Sequence, residues 1–462
     1  MKKLFMLLAV AAFAFAAYSC EQPEPDPINP HSDDPEITPT PVVSLVDVTV
    51  QLAVNDEPLK VEGVNISLSD DSGMISYDKS TNADGFASFS LPYGNYSASA
   101  NFKMAADGQR LAYNGAVNNI VVKQYGQAAY NINLAVVKTQ QVIIKELYST
   151  GCQNSAAGAG KTYSNDAYVI LYNNTDLEAD ASDIVFGLMA PSNANAANKF
   201  YQGDGDKALI YEHDNWIPAY SALWWFTSEV KIPAYSQIVV AIFGAINHTA
   251  TVVESVDLSD ASYYWMCNTD IPNFKNAKYT ASENIPANHY LTGVQINQGN
   301  AWVISNSSPG FYIGKMAAAQ AKALCEDTGA YDTTQGSTFA TAIAKFPKAN
   351  VVDAVDVWST PNIPKSMPRF SADLNTNYVA MTNNQGHSIY RNVDKEATEA
   401  LAENSGKLVY NYAGGTEAEE GSTDPSGIDA EASIANGAHI IYSDTNDSAK
   451  DFHQRKVASL KK

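Results

Sequence analysis

The first two hundred residues change their hydrophobic pattern once. Val48-Thr-Val-Gln-Leu52 and Val61-Glu-Gly-Val-Asn-Ile-Ser-Leu68 alternate apolar and polar positions, which predicts strands with one buried face. Thr81-Asn-Ala-Asp-Gly85 supplies a tight turn at Asp84-Gly85, Phe86-Ala-Ser-Phe89 alternates again, and Pro92 and Gly94 break the chain before Tyr96-Ser-Ala-Ser-Ala100. From Val142 the pattern is different. Val142-Ile-Ile-Lys-Glu-Leu-Tyr148 is a nearly continuous apolar strand. In Tyr168–Tyr172, Tyr168, Ile170 and Tyr172 share one face while Val169 and Leu171 share the other. Both faces are apolar, so this strand is expected at the centre of a sandwich. Ile232–Phe243 predicts a turn feeding another buried strand, Val351–Trp358 alternates, and Gly386–Arg391 is a further strand. Two helices interrupt this pattern. Lys315–Glu326 would bury Met316, Ala319, Ala323 and Leu324, and Asp394–Glu403 would use Asp394 as its N-cap. Asn411–Ala435 is Gly-rich and acidic and reads as a mobile loop, with Ala438–Tyr442 as a closing strand.

The N-terminal residues have a different character. Lys2 and Lys3 precede a short apolar run, Leu4 to Ala17, that ends in Ala-Tyr-Ser before Cys20. The run is too short for a comfortable membrane span and reads as a signal-peptide core over residues 1–19. Small residues followed by Cys resemble the lipobox of bacterial lipoproteins. That resemblance implies acylation of Cys20 and an anchor in the outer membrane. Residues 20–43 are rich in Pro and acid and poor in large apolar side chains, the composition of an extended tether. Its acidic residues resemble the surface-export signal of Bacteroidetes lipoproteins, which implies a face turned to the cell exterior. A formal charge of −21 disfavours nucleic acid and anionic headgroups as partners. Cys152, Cys267 and Cys325 would remain after acylation of Cys20, enough for one disulfide of unassigned pairing.

Residues 44–138 show strand, T-x-x-D-G, aromatic strand and L-P-x-G-x-Y in succession. The order resembles the carboxypeptidase-regulatory or Cna-B class of small β-sandwiches, and implies that Tyr96 packs in the core. Residues 139–462 carry I-x-E-L-Y, D-x-Y-x-x-L-Y-N-N, P-A-x-S-x-I-V-V-A, V-V-D-A-V and G-H-S-I-Y-R. This succession is similar to the lamin-tail domain, an immunoglobulin-like β-sandwich, in expanded form. Glu146, Asp166, Tyr172, Asn173, Asn174, Asp353, Ser388 and Arg391 fall on its recurring positions. The complete chain resembles a Bacteroidetes lipoprotein family known as domain of unknown function 4876. The fold expected is therefore all-β: a small antiparallel sandwich, then a larger lamin-tail-like sandwich with helical and loop insertions.

The residues offer few reaction centres. Gly158-Ala-Gly-Lys-Thr162 has Ser155 where a phosphate-binding loop needs glycine, and it precedes a strand rather than a helix. Gly203-Asp-Gly-Asp206 has two carboxylates at calcium-loop spacing, but Ala208 and Leu209 stand where further loop residues should be. A surface turn is favoured there, with Ca2+ the alternative to having no cofactor. No two of the seven histidines lie at helical ligand spacing; His248, His289 and Met266 are the candidates for haem or metal capture. There is no G-x-S-x-G elbow. Trp216, Trp224, Trp225 and Trp265 are candidate binding residues, weighed against packing in the core and beneath an insertion. Three consecutive aromatics, Trp224-Trp225-Phe226, cannot all face one core from a strand, so one side must meet an insertion, a partner or solvent.

These observations lead to an expected non-catalytic binding or accessory component, working with an outer-membrane transporter or another envelope protein. An extracellular hydrolase for glycan or peptide is the first alternative, and haem or metal capture the second.

Overall fold

The computed structural model describes residues 44–71, 75–202, 208–266, 278–296, 302, 304–335, 342–416 and 422–461. Cys20, Cys267 and Gly203–Asp206 lie outside the described residues. Among the described residues no helix is long and apolar enough to cross a membrane.

Two sheets form the first sandwich. Strands β1 (Leu45–Val54), β2 (Asn65–Asp70), β3 (Ser76–Ser80), β4 (Phe86–Pro92), β5 (Gly94–Ala106), β6 (Gln109–Val122), β7 (Ala129–Asn133) and β8 (Ala135–Gln140) are its principal elements. One sheet pairs β1 antiparallel with β4 and parallel with β7; the other runs β3-β2-β5-β6-β8. The alternating positions meet between them: Val48, Val50, Leu52 and Phe89 of one sheet face Ile66, Leu68 and Tyr96 of the other. Gly85 sits at φ +81 and lies so close to the Leu59 carbonyl that a Cβ would collide with it, which explains the Asp84-Gly85 turn. Tyr96 is buried, as the resemblance implied, and its hydroxyl donates to the Pro92 carbonyl at 3.1 Å.

The second sandwich is larger. One sheet contains β9 (Val142–Tyr148), β10 (Tyr168–Asn173), β13 (Gln237–Ala241), β14 (Tyr264–Trp265), β20 (Ser388–Arg391) and β21 (Phe452–Arg455), in the order β14-β13-β10-β9-β20-β21. The other contains β11 (Ile184–Met189), β12 (Trp216–Trp225), β15 (Thr292–Gln295), β16 (Gly310–Lys315), β17 (Ala344–Pro347), β18 (Val351–Ser359) and β19 (Val379–Met381). Its order is β15-β12-β11-β16-β18-β19, with β17 also on β12. Val169, Leu171, Phe186, Trp224, Ile313 and Val355 pack between the two sheets. The outer faces are covered as well. Tyr148, Tyr168 and Ile170 lie under residues drawn from the 245–290 region and the C-terminus, and Ile143, Tyr172 and Tyr390 under Val393, Ile428, Ala430, Ile440 and Tyr442. Segments around Phe200, Tyr211 and Cys325 cover the other sheet. An all-β, mainly antiparallel sandwich architecture is therefore what the chain adopts.

Several local expectations change. The helix predicted from Lys315 begins at Ala318, because β16 runs through Lys315; α1 (Ala318–Glu326) therefore buries Ala321 and Cys325 instead of Ala319 and Ala323. Asp394 does cap α2 (Lys395–Glu399), its carboxylate accepting from the Ala397 amide at 3.0 Å, but the helix is shorter than predicted. Within Asn411–Ala435 the acidic residues 417–421 lie outside the described residues, and the rest is not simply loop. Ile428 enters the core, and Asp429 caps α3 (Ala430–Ala435). Ala438, Ile440 and Tyr442 are buried, with His439 exposed between them, and the segment does not become a strand. Its backbone bonds instead to the side chains of Tyr172, Asn174 and Thr398, so side chains replace a ladder. Cys152 and Cys325 are both free and buried.

Candidate binding cleft

A polar cleft opens where β18 begins. The turn Lys348–Asn350 leads into that strand, and Lys348, Asp353, Asp373, Asp444, Asn215 and Asn446 contribute to a lining that encloses about 470 Å³. Lys348 organises one wall. Its ammonium donates to the Glu212 carbonyl at 2.8 Å and pairs with Asp373 at 3.4 Å.

Asp353 closes the floor. On β18 it shares a face with Val355 and Val357, so period-two geometry turns a carboxylate between the sheets. There it meets Arg391, which shares its face of β20 with the core residue Ile389. Asp353 Oδ2 accepts from the Ile144 amide at 2.6 Å and from the Arg391 guanidinium, while Oδ1 accepts from the Ala354 amide at 2.7 Å. Arg391 Nε donates to the Ile144 carbonyl at 2.7 Å and Nη1 to the Ser443 carbonyl at 2.8 Å. Asp444 stands 3.4 Å from the same guanidinium, and Asp451 3.9 Å. Burial pushes the Asp353 carboxyl up to about 7, with Arg391 offsetting only part of that cost. Burial also raises Asp444, again against the pull of Arg391. A carboxyl group near neutrality in a cleft fits acid–base work in general. Here, though, both oxygens of Asp353 are committed to fixed donors, so the group holds β9, β18 and β20 together. Asp373 is 59% exposed and Asp444 22%, and these carboxylates exceed the cationic groups on the walls. The open part of the cleft suits a hydroxyl-rich or amine-bearing ligand held by hydrogen bonds. Its lining includes no aromatic ring on which a sugar could stack.

The other polar residues of the lamin-tail-like pattern have structural partners too. Glu146 accepts from the Ser459 amide at 2.9 Å, and Asp166 accepts from the Tyr148 hydroxyl at 3.1 Å and from Ser255. Asn173 bridges to the Ile232 carbonyl at 2.9 Å. Asn174 exchanges two bonds with the backbone of Tyr442, at 2.8 and 2.9 Å, and Tyr172 donates to the Ile440 carbonyl at 2.7 Å. Ser388 is fully buried on β20. Glu146, Tyr172 and Asn174 thus tie the β9–β10 sheet to the C-terminal segments that cover it, while Asp166 and Asn173 tie it to Ser255 and Ile232.

The aromatic candidates separate across β12. Trp224 and Phe226 enter the core between the sheets, and Trp225 the core under the insertion. The side that could not face the first core is met by an insertion. Trp265 is also buried, its indole N–H donating to the Phe243 carbonyl. Of the four tryptophans proposed for binding, Trp216 alone is half-exposed; it packs on Phe200 and Tyr211 with the Lys345 ammonium 4.7 Å above its ring. His248 is buried with both ring nitrogens bonded, to the Tyr163 hydroxyl at 2.7 Å and the Gly244 carbonyl at 2.9 Å. His289 stacks on Tyr264, and Met266 lies in the core between the sheets. Among the described residues no three His, Cys, Asp or Glu side chains are grouped to hold a metal ion.

Two buried cations had not been singled out. Arg369 pairs with Asp356 at 2.6 Å and donates to the Ser308 carbonyl at 2.9 Å. The Lys145 ammonium pairs with Glu431 at 2.8 Å among the rings of Tyr172, Tyr390 and Tyr442, each within 5.8 Å. A signal existed at Lys145 and at Asp356, the partner of Arg369: a charge at a position where its strand should be apolar on both faces demands an opposite charge.

Residues 235–411 match the model of a family described as Protein of unknown function (DUF4876). No curated protein matches the chain. Among solved structures, a DUF4876 family protein from Bacteroides thetaiotaomicron VPI-5482 is similar at 17% identity. The likeness covers 89% of this chain and 96% of that one, with a TM-score of 0.51. A DUF3823 family protein from Parabacteroides merdae ATCC 43184 aligns at 15% identity over 41% of this chain and 92% of its own, with a TM-score of 0.17. The chain thus resembles the DUF4876 family, in sequence over residues 235–411 and in a fold shared over most of its length.

Proposed function

We propose that this chain is a surface-held lipoprotein of the outer membrane, anchored through Cys20 and residues 20–43, and that its two sandwiches form a non-catalytic binding or accessory body for an envelope or uptake complex. The observation carrying this reading is the state of Asp353. The acid placed best for chemistry, on the floor of the cleft, has its oxygens bound by Ile144, Ala354 and Arg391. A glycan or peptide hydrolase needs a carboxyl group both raised toward neutrality and free to exchange a proton with its substrate; here Asp353 is raised but bound, Asp444 is raised but paired with Arg391, and the exposed Asp373 is lowered. Haem or metal capture through His248 would need a free ring nitrogen, and both are engaged. The open carboxylates and amides of the cleft suit polar recognition without bond cleavage.

The test is a native pull-down from detergent-solubilised envelope with a C-terminal tag, read by mass spectrometry of proteins and small molecules. A stoichiometric envelope protein is the expected result, lost or weakened in a Cys20→Ala chain that no longer reaches the membrane. Recovery of the chain alone, together with hydrolysis of a glycan or peptide by the purified protein, would overturn the reading.

A further inference from the structure

One end of the first sandwich gathers exposed apolar side chains. Leu45 opens β1 opposite Pro92, and Gly94 opens β5 opposite Val122, so residues 45, 92–94 and 121–122 reach the same edge. The β2–β3 turn ends there too, since the Asp71 amide donates to the Asn95 carbonyl at 3.2 Å. The turn after Val122 returns to β1 through Thr49 and Ala128, bonded at 2.7 Å, which brings Tyr125 to this end. Leu45, Ile75, Tyr93, Val121 and Tyr125 are five of the nine exposed large apolar side chains among the described residues; Tyr125 is 91% exposed and Leu45 59%. The opposite end of the sandwich is occupied. There the β5–β6 hairpin tip meets the second sandwich, the Gln141 amide donating to the Gly108 carbonyl at 3.0 Å and Arg110 pairing with Asp176 at 2.8 Å.

We infer that this apolar rim is a membrane-contact surface, with Tyr93, Tyr125 and Leu45 seated in the interfacial layer of the lipid bilayer that holds the anchor. The inference rests on the lipoprotein reading for its setting. It commits to lipid because the rim lies where the chain enters the fold, immediately after the 20–43 tether, and faces away from the second sandwich. Tyrosines with aliphatic neighbours suit the boundary between headgroup and acyl chain, where a ring is buried and its hydroxyl stays wet. The rim displays both Lys123 and Asp71, and the chain's charge is −21, so attraction to anionic headgroups is not the driving force. Contact should therefore persist in high salt.

The experiment uses the mature chain as Cys20→Ala, without acyl groups, floated with vesicles of phosphatidylcholine and phosphatidylethanolamine. Weak, salt-insensitive partitioning is expected. It should fall about tenfold when Tyr93→Ser, Tyr125→Ser and Leu45→Ser are combined, with the melting temperature unchanged because all three side chains are exposed. In the acylated protein on the same vesicles, the amides of residues 121–126 should gain hydrogen-exchange protection. Equal flotation of the triple variant, or no protection at 121–126, overturns the rim. So does a triple variant that floats normally but loses an envelope protein in the pull-down, since the surface then belongs to a protein partner. Metabolic labelling of Cys20 tests the anchor separately. An unlabelled chain sinks the lipoprotein reading, while the flotation result still decides the rim.

Discussion

Strand β5 of the first sandwich and β10 of the second both lie inside their sheets, yet they are built differently. On β5, Tyr96, Ala98 and Ala100 face the core while Ser97 and Ser99 face outward, Ser99 into solvent. On β10 every residue is buried: Val169 and Leu171 lie between the sheets, and Tyr168, Ile170 and Tyr172 lie under chain that folds back over them. A sheet wet on one side needs only the alternation of one apolar face. A sheet covered on both sides has no wet face on which to place charges, so any charge it carries must be neutralised inside. In the first sandwich Thr81 is the one buried polar side chain among the described residues; the second buries Lys145, Arg369 with Asp356, and Arg391 with Asp353 and Asp451. Its polar chemistry therefore reads first as the means of holding added layers in place.

The strongest challenge to that comparison is Arg391→Met. It leaves Asp353, Asp444 and Asp451 without their shared cation, and removing one partner of a buried pair costs about 3–5 kcal/mol. Denaturant unfolding should show the loss, and hydrogen exchange should place it in β9, β18 and β20 while β1–β8 keep their protection. An effect below about 1 kcal/mol would mean that the cluster is a surface pair in disguise.

Next in size is a pair of substitutions at equivalent outward positions. Ile170→Ala should cost about 2–5 kcal/mol, as in a core, because the covering layer cannot fully collapse into the space. Ser99→Ala on β5 should stay within about 0.5 kcal/mol. Equal costs would remove the distinction between covered and wet faces.

Legibility in the sequence follows the same division. Period-two alternation suffices for β1, β2, β4 and β5, and the run with two apolar faces correctly places β10 at the centre of its sheet. What escapes is the origin of the cover. Ile440 and Tyr442 are buried by Asn174, Tyr172 and Thr398, residues far away in sequence, and no local periodicity encodes such bonds. The frame of α1 is lost for a related reason: the strand before it holds Lys315, which moves the buried positions to Ala321 and Cys325. At the cleft, the family-like pattern singles out Asp353 and Arg391. Lys348, Asp373 and Asp444 come together only through three separate loops, and nothing in their spacing announces it.

Acid provides a third discriminator. His453 is buried, with Nδ1 against Asn392 and Nε2 against the Tyr412 hydroxyl, both at 2.7 Å. Burial first, and the Arg455 charge second, lower it from 6.5 to about 3. The native state thus resists a proton that the unfolded chain accepts. Its contribution to stability is complete above pH 6.5 and is lost as pH falls toward 3, at up to about 1.4 kcal/mol per pH unit. Guanidinium melts at several pH values should show this slope in the second sandwich, and His453→Gln should flatten it. The first sandwich holds no histidine and should show no such step.

The smallest expected effect lies at the junction of the two regions. Asp176, in the second sandwich, takes Arg110 at 2.8 Å and also pairs with Lys103, both from the β5–β6 hairpin. Burial alone would raise its carboxyl group, but the two cations outweigh burial and hold it below its usual range. With its side chain 28% exposed, this pair is screened by water, so Asp176→Asn should cost no more than about 1 kcal/mol. Its value lies in where the change is felt. If the hairpin is fixed mainly by this pair, exchange at Ala106–Gln109 should quicken and the scattering profile should broaden, while both cores keep their protection. If the Gln141–Gly108 bond and the covalent run from β8 into β9 suffice, neither readout will move. The two sandwiches would then be coupled through backbone rather than charge, and buried ionic chemistry would serve only to stack layers within the second one.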